Sequence, residues 1–111
     1  MSYGPVVCDP EVRGHASLDD VEAMGELFRA LATPVRLSIV VELSVAPRSV
    51  GELVTLLGVS QPLVSQHLRV LRSARLVAVD RRHRERVYRL VDDHVRHMVS
   101  DAGRHVTEHG T

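Results

Sequence analysis

Apolar residues first fall into register after position 17. Val21, Met24, Leu27, Phe28 and Leu31 recur at three- and four-residue intervals, the spacing of one helix face. Thr33-Pro34 then reads as an N-cap followed by proline at the first helical position, where its missing N–H costs nothing, and predicts a second helix to about Ser44. Pro47 stops any continuation. Ser49 and Glu52 have the capping-box spacing and open a short third helix, Val50 to Leu57. Gly58 breaks it, and Ser60 is expected to cap a fourth helix to about Ser73, with Val64, Leu68 and Leu71 on its buried stripe. Two short helices joined by a glycine-containing turn form a helix-turn-helix. The period then changes: Leu76–Val79 and Arg86–Leu90 are short β-type runs around the polar stretch Asp80–Glu85, predicting a hairpin, or wing. Asp92 caps a fifth helix whose apolar stripe is Val95, Met98, Val99, Ala102 and Val106. The fold class is therefore mainly α with a small β-hairpin, a winged helix-turn-helix over residues 17–111. Residues 1–16 contain Gly4, Pro5, Pro10 and Gly14 without a sustained apolar period and are expected to form a flexible N-terminal arm.

A chain of 111 residues suits one domain, and its few aromatics (Tyr3, Phe28 and Tyr88) imply a modest core that burial against a partner subunit would help. No apolar run reaches membrane-spanning length, and the N-terminus lacks the basic-then-apolar order of a signal peptide. Cys8 is the only cysteine, which excludes an intramolecular disulfide and a Cys-based zinc knuckle. A cytoplasmic setting without membrane attachment is expected.

The formal net charge of zero conceals a segregation. Residues 1–60 carry four Arg against eight acids, a balance of −4, and residues 92–111 carry two Arg against four acids, a balance of −2. Between them, residues 61–91 carry eight Arg against Asp80 and Glu85, a balance of +6. Such a block is an electrostatic footprint for phosphate. In a helix-turn-helix the second helix lies in the major groove with its N-terminal residues nearest the bases. Here those residues are Gln61, Pro62, Ser65 and Gln66, with Arg69 one turn on; Gln and Ser are types that suit base readout. Arg72, Arg82 and Arg84 suit phosphates, as do Arg81 and Arg86. A rival of another class is a winged-helix protein-interaction module, which would show no salt-dependent affinity for duplex.

The stretch Leu31-Ala-Thr-Pro-Val-Arg-Leu37, together with the run from Ser60 through Gln61, Pro62, Ser65, Gln66, His67 and Leu68 to Arg72, resembles the ArsR/SmtB family of bacterial metal-responsive repressors over about residues 18–108. The resemblance implies a homodimer joined through the first and fifth helices, bound to an inverted-repeat DNA operator.

On the fifth helix, His94, His97, Asp101, His105 and Glu108 fall within about 80° of one another, beside the apolar stripe. His94 and His105 are eleven residues apart, about 16 Å along one helix, so they do not share one zinc ion within a chain. An antiparallel copy placing position 94 opposite 105 of its partner brings Asp92 and His94 of one subunit to His105 and Glu108 of the other. Two such four-ligand sites arise per dimer. Two nitrogens and two oxygens in tetrahedral array suit zinc, and the Asp-x-His-x10-His-x2-Glu pattern resembles that of the family's zinc sensors. Co2+ and Ni2+ are the alternatives, because His97, Asp101, His109 and the arm offer further donors. The third helix lacks the cysteines that relatives sensing thiophilic ions carry, so no thiolate site with Cys8 is expected. Four protein ligands leave no open metal position and no nucleophile–base pair accompanies them, so neither an enzyme nor a small organic substrate is expected.

Overall fold

Local capping chemistry sets where each helix begins. The computed structural model describes residues 17–109; the expected arm, residues 1–16 with Cys8, lies outside the described residues. Helix α1 (Leu18–Leu31) starts at Ser17, whose hydroxyl accepts from the Asp20 N–H while the Asp20 carboxylate accepts from the Ser17 N–H. Helix α2 (Pro34–Val45) starts as expected at Thr33, whose hydroxyl accepts from the Arg36 N–H at 3.1 Å. Strand β1 is only Arg48–Ser49, and Ser49 then caps α3 (Val50–Leu57) in the expected reciprocal box with Glu52. Gly58, at φ +66°, ends α3 in the left-handed conformation that costs glycine nothing.

Helix α4 (Gln61–Ser73) departs from expectation at its start: Ser60 occupies the N-cap position, but its side chain makes no capping bond. At its end the Leu76 N–H reaches the Leu71 carbonyl at 2.9 Å and the Arg75 N–H reaches that of Arg72 at 3.0 Å. With Arg75 at φ +61°, this is a Schellman motif built on a non-glycine residue. Leu76, fully buried, anchors the turn in the core.

The wing is longer than its apolar residues suggest. Strands β2 (Val77–Arg82) and β3 (Glu85–Leu90) pair antiparallel from Val77↔Leu90 to Arg82↔Glu85. Only His83 and Arg84 are left as the loop, so Asp80, Arg81, Arg82 and Glu85 belong to the ladder. Backbone pairing beyond the core holds these polar residues, and apolar patterning does not register it. Strand β1 also joins β3, through Arg48↔Tyr88 and Ser49↔Val87, giving the order β1-β3-β2. Two residues are too few to show a period, and this third strand was not expected.

Helix α5 (Asp93–His109) begins where Asp92 accepts from the Val95 N–H at 3.3 Å. Arg96 donates from Nε to the Ser44 carbonyl at 3.1 Å, fastening α5 to the end of α2. Helix α2 contacts every other helix and β3. Its Ile39, Val40 and Leu43 meet Leu53, Val64, Leu68, Leu71, Leu76 and Val95 in the core. Each such side chain contributes roughly 1.5–3 kcal/mol by leaving water.

Helix α1 is different. Ala30 and Leu31 are buried, but Leu18, Val21, Met24 and Phe28 are 49–74% exposed. The apolar stripe that predicted the helix is thus only partly used within the chain.

Candidate nucleic-acid interface and metal site

Gln61, Pro62, Ser65, Gln66, Arg69 and Arg72 are all exposed on α4, and Arg82 and Arg84 are exposed at the wing tip. Val64, Leu68 and Leu71 face the core, so burial of one stripe turns the polar residues outward. Of the eight arginines in residues 61–91, only Arg89 forms an ion pair among the described residues, with Asp80 at 2.9 Å. The other seven cations therefore keep their charge available to a polyanion. Arg82 and Glu85 are cross-strand partners, with His83 at φ +59° turning the loop between them.

Between α4 and β3 lies a pocket of about 300 Å³ to which Gln61, Ser65, Arg69, Arg72, Arg86 and Tyr88 contribute. The approach of β3 to α4 is tertiary, and no sequence spacing signals it. Tyr88 was therefore missed as a neighbour of the DNA-facing candidates.

The four candidate metal ligands sit at the two ends of α5. Asp92 uses Oδ1 to cap the helix, while its Oδ2 lies 3.5 Å from Nδ1 of His94. The cap thus orders the carboxylate beside the imidazole, and His94 stays 92% exposed. His105 and Glu108 are exposed three turns further along. Among the described residues of one chain, no three His, Cys, Asp or Glu side chains converge to hold a metal ion. The 16 Å separation dictates that outcome for this ligand set. Chemically the donors fit a borderline divalent ion, since Asp92 and His94 form an accessible O,N pair and His105 and Glu108 form another on the same helix. Of the additional donors, Asp101 is engaged by Arg104 at 3.3 Å, His97 is exposed, and the His109 ring lies 4.5 Å from that of His105.

The apolar stripe of α5 is covered near its start and uncovered towards its end. Val95 is buried and Met98 and Val99 are partly buried, but Val106 is 46% exposed. On α5 the candidate ligand row therefore lies beside uncovered apolar surface at Val106.

Residues 33–79 match the family described as bacterial regulatory protein, arsR family. The chain is 52% identical over 88 residues to the HTH-type transcriptional repressor SmtB of Mycobacterium tuberculosis; the match covers 79% of this chain and 65% of that repressor's length. It is 41% identical over 99 residues to the HTH-type transcriptional regulator NmtR of the same species, covering 87% of this chain and 82% of the relative. Among solved structures, HlyU from Vibrio cholerae superimposes with a TM-score of 0.74 at 32% identity, covering 79% of this chain and 96% of that one. The winged helix-turn-helix, the matched segment and these identities agree: the chain belongs to the ArsR family of bacterial regulatory proteins.

Proposed function

We propose that this chain is a DNA-binding transcriptional repressor that acts in the cytoplasm as a homodimer and releases its operator when zinc binds between the subunits. The observation that carries the reading is the set of seven arginines on α4, its C-terminal turn and the wing that form no ion pair among the described residues. Recognition helices of a two-fold dimer enter successive major grooves about 34 Å apart. Helix α4 supplies the reading head, and the wing cations hold phosphates.

The metal half of the proposal rests on α5. Asp92 and His94 of one copy, with His105 and Glu108 of the other, would hold the ion, twice per dimer. Zinc there supplies a charge that ties the two fifth helices together. The chain's own residues do the rest: Arg96 couples α5 to α2, and α2 packs against α4. A clamp on α5 thereby acts on the spacing of the reading heads. The coupling is reciprocal, so operator DNA weakens zinc binding by the same factor. Relatives named as repressors support the regulatory role. The completed ligand set has no open position for substrate, which supports a regulator over an enzyme.

A second reading, nickel or cobalt in place of zinc, is favoured by His109 beside His105, which offers a further imidazole for a higher coordination number.

The test is duplex binding by fluorescence anisotropy, first metal-free and then with two zinc ions per dimer. A tenfold or greater loss of affinity, about 1.4 kcal/mol, supports a zinc-released repressor. Tight binding indifferent to zinc removes the zinc sensor and directs the same assay to nickel and cobalt. No salt-dependent duplex binding removes the repressor altogether.

A further inference from the structure

The pocket between α4 and β3 separates two groups of residues on the recognition helix. At 100° per residue, Gln61, Ser65, Leu68 and Arg72 cluster within about 60° on the side towards β3. Pro62 and Gln66 lie roughly 100° further round, with Arg69 between the groups. On β3, Arg86 and Tyr88 alternate and so share one face of the strand. Three arginines, Arg69, Arg72 and Arg86, therefore line one cavity of about 300 Å³, and among the described residues no carboxylate lines it. The two acids of the basic block are placed elsewhere: Asp80 binds Arg89, and Glu85 lines other surface. Buried Leu68 and Tyr88 back the pocket. Like charges lining one cavity repel one another until an anion enters, and guanidinium forks match the oxygens of a phosphate.

We propose that this pocket seats one DNA backbone phosphate per half-site. Arg69, Arg72 and Arg86 grip the phosphate, and Gln61 and Ser65 hydrogen-bond to the same strand. Base reading is then left to the Pro62 and Gln66 side of α4. The seat ties the recognition helix and the wing to one point of the duplex, fixing the angle between them. This inference rests on the DNA-binding reading.

The test uses the full-length dimer and a duplex enriched by the wild type from a random pool. A single uncharged methylphosphonate linkage is walked along each strand. The wild type loses roughly tenfold in affinity at one linkage per half-site. At that linkage R86Q and R72Q lose less than twofold, because each variant has already given up the contact. The salt slope of each variant falls by about 0.9. Both substitutions are of exposed residues, and thermal melts of the two verify folding. Wild-type binding with no linkage that couples to Arg86 or Arg72 overturns the proposal and leaves DNA binding intact. Inorganic phosphate displacing duplex at constant ionic strength, from the wild type but not from R86Q, overturns it in favour of a free-anion site. Failure to enrich any duplex removes the DNA-binding reading itself.

Discussion

Asp92 has two roles that one pair of substitutions separates. Its Oδ1 caps α5 at the Val95 N–H, and its Oδ2 faces His94 at 3.5 Å. Asp92→Ala removes both. Loss of an N-cap costs about 1 kcal/mol, and for a domain of this size that lowers Tm by roughly 4–8 °C. Asp92→Asn keeps the cap, since Asn and Asp rank together there, and loses only the charge at the helix N-terminus. That charge contributes about 0.3–1 kcal/mol, and at 51% side-chain exposure the low end applies, a change of about 2 °C. Melts in chelator at fixed protomer concentration are therefore expected to place Asn close to wild type and Ala well below. In zinc the gaps change. Wild type gains about 2.7 kcal/mol at a hundredfold excess over Kd, and both variants gain less than half of that. If Ala melts with wild type in chelator, the cap is not supporting α5. If Asn keeps the full zinc response, Asp92 is not a ligand.

Gly58→Ala is expected to destabilise the chain by about 1–2 kcal/mol, read as a shift in the urea midpoint, because φ +66° strains any side-chain-bearing residue. Arg75→Gly, at φ +61°, relieves the same strain and offsets it partly through the entropy of the unfolded chain. It raises Tm by a few degrees, and an unchanged or lower Tm contradicts the Schellman assignment. Phe28→Glu puts a charge into the exposed apolar face of α1 and is expected to convert the dimer to monomer in sedimentation velocity at micromolar concentration. A dimer of unchanged stability would move the interface away from α1.

Much of the architecture was legible in local chemistry. Thr33-Pro34, the Ser49/Glu52 box, Gly58 and Asp92 act within one helical turn, and each marks its helix end in the sequence as in the structure. Ser60 shows the limit, since a capping residue type at a capping position makes no capping bond. Strand β1 and the polar half of the wing escaped for a different reason: ladder pairing to β3 stabilises them, and that pairing lies in the fold rather than in the pattern. The spacing of the candidate donors on α5 was readable because helical geometry is regular enough to convert eleven residues into about 16 Å. The pocket beneath Arg86 was not, because it depends on how a strand and a helix far apart in sequence approach each other.

The central claim is a metal site divided between two copies of α5, and mixing two silent variants tests it most directly. One chain carries Asp92→Ala with His94→Ala, and the other carries His105→Ala with Glu108→Ala. In either homodimer every site lacks one half of its ligands. A heterodimer restores one complete site and empties the other. Cobalt absorption in the tetrahedral d–d region, followed as the chains are mixed and exchanged, should be absent from both homodimers. It should then appear in the mixture at one ion per heterodimer. Full absorption in either homodimer, or none in the mixture while heterodimers are present, would contradict a site shared between Asp92 and His94 of one subunit and His105 and Glu108 of the other.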